Sequence, residues 1–368
     1  MRSLTALWRG LVEEKAGWLT RWTLGPLLAT LAWPYGWTQR LRSQVYARGW
    51  APVKRLRCRV LSVGNLTLGG TGKTPLVEAI ATLLRTHGYR VAVLSRGYGR
   101  RCQKPITVVS DGEKRLVSPE VAGDEPFLLA EHLPGVPVLV GNDRYITGMH
   151  AVERFGVEVV VLDDGFQHMQ LARDLDILLL DAARPLGNGR LFPRGDLREL
   201  PSALSRADLI VFTRWEPGTL VLLSPLRLPH PVPPLFCSQH EPADLRVLQD
   251  GGTLPLASLK DRRILAFCGI GAPESFRRTL NRLGATVVAF LSFPDHHPYT
   301  QPELDDLART AAAHGAEALV TTEKDGIRLR RLLPLPWQVW ELRIRATIMG
   351  QGPAWEACLL RALEGHPH

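Results

Sequence analysis

The sequence predicts an α/β protein of two α/β/α domains, the first around a mainly parallel sheet, behind an N-terminal membrane-associating helical segment. Three observations lead there. From residue 59 onward, short apolar runs alternate with segments of helical periodicity. A proline-rich stretch interrupts the alternation, and a second series follows it. The first fifty residues differ from both and hold six of the ten tryptophans. At 368 residues the chain is long enough for two domains with separate cores. The expected divisions are an N-terminal helical segment over 1–50, a first domain over 51–222, a linker region over 223–262 and a smaller C-terminal α/β domain over 263–368. The last residues of the chain could pack back on the first domain.

The N-terminal arm is basic and aromatic. Residues 1–59 carry eleven Lys and Arg against two Glu, whereas the remainder has 34 of each sign, so the net charge of +9 sits in the arm. Trp8, Trp18, Trp22, Trp33, Trp37 and Trp50 punctuate it, and the eighteen residues between Arg21 and Arg40 are uncharged. An acid-free basic run follows, from Arg40 and Arg42 through Arg48, Lys54, Arg55 and Arg57 to Arg59. Tryptophan favours the headgroup layer, and each cation near anionic lipid contributes roughly 1 kcal/mol. A spanning helix needs about 20 mostly apolar residues. This stretch is shorter and is interrupted by Gly25, Pro26, Pro34 and Gly36. Glu13 and Glu14 ahead of the apolar part, with no clear cleavage site after it, argue against a secretory signal. The expectation is a monotopic helical hairpin lying in a surface of anionic phospholipid; packing on the protein's own surface is the alternative. A nucleic-acid arm would also be basic, but tryptophans around a long uncharged stretch do not suit one, so no nucleic-acid partner is expected. Nor is an obligate protein partner. The five scattered cysteines, with no CxxC pair, speak against a disulfide framework or structural zinc and for a reducing compartment.

Strands are expected at Arg59–Val63, Arg90–Leu94, Ile106–Val109, Val136–Val140, Val157–Leu162, Asp176–Leu180 and Leu209–Phe212. Helices are expected at Thr74–Arg85, Glu125–Glu131, Arg144–Phe155 and Pro201–Arg206. Residues 216–262, with Pro225, Pro229, Pro231, Pro233 and Pro234, lack long periodic segments and read as a boundary. The second series is strand Ile264–Cys268, helix Glu274–Leu283, strand Thr286–Leu291, helix Pro302–His314, strand Ala318–Thr322 and strand Gln338–Leu342. Gly269-Ile270-Gly271 lacks the third glycine of a dinucleotide loop and reads as a tight strand-to-helix turn.

Chemistry begins at Gly69-Gly70-Thr71-Gly72-Lys73-Thr74, between the strand ending at Val63 and a helix with apolar Leu76, Val77, Ile80, Leu83 and Leu84. Strand, glycine loop, Lys-Thr and helix is the arrangement that cradles nucleotide phosphates. Backbone N–H groups meet the anion, the lysine reaches the outer phosphates and the Thr hydroxyl meets Mg²⁺. The expected fold of the first domain is therefore P-loop NTPase-like, its ligands ATP and Mg²⁺. The strict pattern wants glycine at position 67, where this chain has Thr67. Asp163 and Asp164 follow a buried strand, where a P-loop enzyme keeps its Mg²⁺-binding carboxylate; one of them could equally cap the next turn. Asp124 precedes Pro126 at a helix start, and capping alone would justify it. Arg96 and Tyr98 fall at the functional edge after a strand, or are ordinary surface residues. Asp295-His296-His297 offers a proton carrier or a solvated loop; no third ligand at helical spacing makes it a zinc site.

Taken in order, these segments resemble one family, the tetraacyldisaccharide 4′-kinases. The matching text is Gly64-Asn65-Leu66-Thr67 into Gly69–Pro75, Ser95-Arg96-Gly97-Tyr98-Gly99, Gly123-Asp124-Glu125-Pro126 and Asp163–His168. Leu197-Arg198-Glu199, Asp295-His296-His297 and Thr322-Glu323-Lys324-Asp325 complete it, and Thr67 is consistent with the family. The resemblance implies transfer of the ATP γ-phosphate to the 4′-hydroxyl of a tetraacyl glucosamine disaccharide 1-phosphate, at the cytoplasmic face of a bacterial inner membrane. It implies a site in the cleft between two α/β domains. It implies that Lys73 and Thr74 handle phosphate and metal, that Asp124 is the base with His296 supporting it, and that Asp163, Asp164 and Glu199 help hold Mg²⁺. Asn65, Arg96 and Tyr98 would lie near the acceptor. A membrane-associated P-loop ATPase or nucleotide switch shares the phosphate loop but needs no acceptor site. A guanine-reading Asn/Thr-Lys-x-Asp motif would favour it and none is present, since Thr322-Glu323-Lys324-Asp325 has the wrong spacing.

Overall fold

The structure, a computed structural model, describes residues 18–98, 100, 102, 104–216, 218–219, 226, 228–334 and 337–364, together with 8, 10 and 12. Glu13, Glu14, Gly99 and Pro225 lie outside the described residues. In chain order the elements are α1 (Trp18–Ala47), β1 (Arg59–Asn65), α2 (Lys73–Thr86), β2 (Val91–Ser95), β3 (Thr107–Ser110) and the short α3 (Pro119–Ala122). Next come α4 (Asp124–His132), β4 (Val138–Val140), α5 (Arg144–Phe155), β5 (Val159–Asp163), β6 (Leu175–Asp181) and β7 (Leu209–Thr213). The remainder is β8 (Leu235–Val247), β9 (Thr253–Leu254), β10 (Arg263–Cys268), α6 (Pro273–Arg282), β11 (Thr286–Ser292) and α7 (Gln301–Ala313). It closes with β12 (Ala318–Thr322), α8 (Glu323–Leu329), β13 (Val339–Ile348) and α9 (Gly352–Glu364). Pro201–Arg206, expected as a helix, is a 3₁₀ helix.

The chain forms two compact units. The first is assembled from residues up to Arg96, from Gly141–Gln239 and from the segment after Ala346; the second from Gly97–Val140 and His240–Ala346. The contiguous divisions expected from sequence thus differ from the compact units, because residues 97–140 belong with the later part of the chain. Residues 223–262, read as a linker, instead hold the thirteen-residue strand β8, its antiparallel partner β9 and a 3₁₀ turn at Leu256–Leu259. The prolines that suggested a linker end just before β8 begins.

In the first unit the strands run β8-β7-β6-β1-β5-β2, and each of these ladders is parallel. Consecutive strands β5 and β6 flank β1 on opposite sides, so the sheet reverses direction of growth at β1. In such sheets the crevice beyond the carboxyl ends at this reversal receives the ligand. Register brings Val63 beside Asp163 and Asp181 beside Thr213 at that edge. The strands are buried apolar runs, as a sheet covered on both faces requires. Gly64 is glycine because Phe166 passes over it: a Cβ there would lie 2.5 Å from the Phe166 Cβ.

Helix α1 is a single thirty-residue helix that runs unbroken through the expected interruptions at Gly25, Pro26, Pro34 and Gly36; most of the segment before Trp18, to which the expected hairpin also extends, lies outside the described residues. Pro26 and Pro34 each remove one backbone donor, yet the Leu- and Ala-rich turns between them are strong helix formers and carry the helix through. Its Tyr35 hydroxyl donates to the Arg198 carbonyl at 2.7 Å, and Arg42 to the Gln167 carbonyl at 2.7 Å. Trp22, Leu27, Leu31, Trp33, Trp37 and Leu41 remain exposed, Trp22 at 76% and Trp33 at 70%. No helix among the described residues is long and apolar enough to cross a membrane.

In the second unit β11-β10-β12-β13 form a parallel sheet whose alternate residues feed two cores. Ile264, Ala266 and Cys268 face Phe276 and Leu280; Leu265 and Phe267 face Tyr299, Leu304 and Leu307. Helix α4 is held in this unit by Glu131, which pairs with Arg115 at 2.9 Å, Arg246 at 2.6 Å and Arg330 at 2.8 Å. Burial opposes its ionisation, but Arg330 and Arg246 outweigh burial and hold its pKa down at about 2. A carboxyl whose folded pKa lies below its unfolded value of ~4.3 stabilises the fold above that value and loses the contribution as pH falls through the folded pKa. Thermal melts of Glu131→Gln should therefore lose part of the wild type's decline between pH ~4.3 and ~2. Parallel pH profiles for the two proteins would remove this anchor.

Candidate active site

The phosphate loop lies in the first unit. Gly72 takes the N-cap of α2 in a left-handed conformation, φ 80°, and no side chain caps the helix, so its first amides point to the crevice edge uncapped. Gly69, at φ 110°, also needs the freedom of glycine. Thr71 and Thr74 are buried, and Gly70 is exposed at the loop's crest. Lys73, 9% exposed, donates to the Asn65 side-chain oxygen at 3.1 Å and pairs with Asp164 at 3.3 Å. Asn65 in turn donates to the Thr67 carbonyl at 2.8 Å. Sequence placed Asn65 near the acceptor; the structure places it against the lysine, as the group that aims it.

The two adjacent aspartates are separated by the backbone. Asp163 ends β5 and accepts from the Ser95 hydroxyl at 2.9 Å. Asp164 turns away in a left-handed conformation, φ 57°, and accepts from Arg198 at 2.8 and 3.0 Å as well as from Lys73. Burial raises its pKa less than Lys73 and Arg198 lower it, and the result is about 2. Glu199, expected to share the metal, is 2% exposed and instead accepts from Arg206 through both oxygens, at 2.7 and 2.9 Å. In this arrangement its carboxylate serves that ion pair, an outcome no local spacing announces.

The second cluster lies wholly in the second unit. Gly123, not Asp124, takes the N-cap of α4, and no side-chain bond caps the helix. That overturns capping as the explanation of Asp124. Its Oδ2 instead accepts from Arg328 Nε at 2.7 Å and lies 3.2 Å from His296 Nδ1. Burial works against ionisation there, but the His296 hydrogen bond and the Arg328 charge lower the Asp124 pKa below the usual carboxylate range. The helix N-terminus adds in the same direction. His296 Nδ1 also lies 3.1 Å from Arg328 Nη2, so it can donate to Asp124 or accept from Arg328, but not both at once. Arg328 is fixed from behind by Asp325, which is fully buried and also accepts from the Tyr299 hydroxyl at 3.1 Å and the Gly269 amide at 3.1 Å. The exposed Tyr98 ring stands 5.9 Å from the His296 ring, and Arg96 is exposed after β2. His297 is occupied elsewhere, with Glu303 at 2.9 Å.

Arg214 and Arg328 were not singled out from sequence, and Arg198 entered only within the matching segment Leu197-Arg198-Glu199, with no role of its own. Arg214 follows the carboxyl end of β7 and the rule for sheet edges would have marked it; Arg328 carries no comparable signal. Backbone strain does mark the clusters. Among the described non-glycine residues with positive φ, Asp164, Arg214 and His296 belong to these two groups, and Asp261 does not.

An uncapped glycine loop and a charge-held lysine at the reversal of a parallel sheet define a P-loop nucleotide-binding protein. The carboxylate–histidine–arginine cluster adds a group able to take a hydroxyl proton, the equipment of a phosphotransferase. The family model described as tetraacyldisaccharide-1-P 4′-kinase matches residues 24–364. A tetraacyldisaccharide 4′-kinase of Syntrophus aciditrophicus is 46% identical over 327 residues, covering 83% of this chain and 85% of its own length. That of Geobacter sulfurreducens is 44% identical over 346 residues, covering 93% and 96%. The crystal structure of LpxK from Aquifex aeolicus in complex with ATP matches with a TM-score of 0.76 at 35% identity, covering 93% of this chain and all of that one. The chain belongs to the tetraacyldisaccharide 4′-kinase family.

Proposed function

We propose that this protein transfers the γ-phosphate of ATP to the 4′-hydroxyl of a tetraacyl glucosamine disaccharide 1-phosphate, a step of lipid A biosynthesis. The observation that carries the reading is the Asp124–His296–Arg328 cluster in a chain that also holds the phosphate loop, because hydrolysis or switching alone requires no such acceptor group.

In this reading the uncapped amides of α2 and the loop hold the phosphates, and Lys73, held beside Asp164, neutralises the transferred group. The buried Thr74 hydroxyl and the Asp163 carboxylate are hard oxygen donors of the kind Mg²⁺ takes, and they would hold the ion. When bound, the ion would neutralise phosphate charge. Asp164 is committed to Lys73 and Arg198 and serves as their counter-charge. Asp124 orients the acceptor hydroxyl and takes its proton late, because phosphoryl transfer has a loose transition state that asks little of a base. Its low basicity is therefore tolerable, and His296 carries the proton onward. Tyr98 and Arg96 contact the acceptor. The exposed tryptophans and leucines of α1, followed by the basic run, rest the enzyme on the cytoplasmic face of the inner membrane without a span, where a tetraacylated acceptor resides.

The test is transfer of labelled γ-phosphate from Mg-ATP to tetraacyl disaccharide 1-phosphate in detergent micelles. Wild type should yield labelled lipid, and Lys73→Ala should lower kcat by ~10²–10³. ATP hydrolysis without labelled lipid would replace this reading with an ATPase or switch.

A further inference from the structure

Arg214 stands beyond the end of β7 and reaches across to the phosphate loop. Its Nη2 donates to the carbonyl oxygen of Gly70, and its Nη1 donates to Asp181 Oδ2 at 2.7 Å. Asp181 ends β6, the strand beside β1, and pairs in register with Thr213. The loop crest is thus tied through one planar guanidinium to the ends of two sheet strands. Arg214 itself sits at φ 54°, a left-handed conformation that side chains rarely adopt, while both ends of its fork are engaged.

The polarity of the contact fixes its meaning. In a trans peptide the N–H and C=O point in opposite directions. In a phosphate loop the N–H groups face the anion. A donor on the Gly70 carbonyl therefore sits on the side of the Gly70–Thr71 peptide away from the phosphates, and holding that carbonyl aims the Thr71 N–H at them. A phosphate clamp would contact N–H-facing space instead. A Cβ added at Gly70 would lie 3.8 Å from the same guanidinium, which confirms that the side chain lies against the loop backbone.

We infer that Arg214, oriented by Asp181, is a positioning residue that braces the phosphate loop in its anion-accepting shape. It touches neither transferred phosphate nor acceptor. The inference rests on the proposed reading of the loop as the ATP site. A lysine at this position retains one donor for Gly70 but loses the fork that also reaches Asp181.

The experiment is calorimetric binding of ATP and of inorganic tripolyphosphate to full-length wild type, Arg214→Ala, Arg214→Lys and Asp181→Asn, with lipid-kinase kinetics on each. A charge-assisted hydrogen bond governs Arg214, so Arg214→Ala should weaken ATP and tripolyphosphate by a similar factor, about tenfold or more. KM for ATP should rise while kcat at saturating ATP stays within about threefold, since uniform binding is what is lost. Arg214→Lys should recover part of the affinity, and Asp181→Asn should show a smaller loss of the same kind. Unchanged affinity in Arg214→Ala overturns the inference. So does a loss confined to ATP with tripolyphosphate unaffected, which would move Arg214 to the base or ribose. A lowered melting temperature with full affinity in the folded fraction overturns it as well. If wild type itself fails to bind ATP, the parent reading falls and this one with it.

Discussion

Asp124→Asn should lower kcat by ~10²–10⁴, the range for loss of a positioned general base, and leave KM for ATP nearly unchanged. The substitution keeps the shape of the side chain and a partner for Arg328, which remains paired with Asp325 at 3.1 Å. What it removes is the capacity to accept the acceptor's proton and the charge that orients His296. The pH profile separates base from bystander. Asp124 is held below the usual carboxylate range, against burial, by His296 and Arg328. A base must be ionised, so in wild type kcat/KM should begin to fall only at a pH below that range. Near-normal kcat in Asp124→Asn, with only a raised KM for lipid, would reduce Asp124 to an acceptor-binding residue.

Arg328→Met should destabilise the protein by about 3–5 kcal/mol, the cost of removing one partner from a buried ion pair. Arg328 serves two carboxylates at once, Asp124 at 2.7 Å and the fully buried Asp325 at 3.1 Å. Burial already raises the Asp325 pKa, against the pull of Thr322 and Arg328, so without the guanidinium it takes up a proton more readily. That relief sets the expected loss toward the lower bound. Denaturant midpoints at neutral pH measure it, and an unchanged midpoint would refute it. The same variant should move the acid limb of kcat/KM upward, because Asp124 loses a cation that keeps it ionised.

The helical periodicity of Arg144–Phe155 gave its bounds to the residue, and the carboxylate after the buried strand ending at Leu162 lies at the sheet edge where chain pattern put it. Local pattern suffices there because periodicity and strand ends are local properties. The partner of Asp124 is another matter: Arg328 lies 204 positions away, and only tertiary packing joins them. Strand β8 was hidden for a local reason. Pro242 lies within it, and a proline inside a run argues against reading that run as a strand. Helix α1 shows the reverse error, prolines read as breaks where flanking helix formers prevail.

The passage of the chain back and forth between the two units, at Arg96, Val140, Gln239 and Ala346, bears on how the protein is made. When β1 and its phosphate loop leave the ribosome, both strands that flank β1 are still unsynthesised, at Val159–Asp163 and Leu175–Asp181. Helix α4 then waits for Arg246, Arg328 and Arg330 to complete its ion pairs. The first sheet cannot form until its later strands emerge and the second unit waits until Ala346, so the nascent chain carries open sheet edges and apolar faces for much of translation, the condition in which chaperones are most needed. Fragments cut at the boundaries that sequence suggests would inherit that unfinished state.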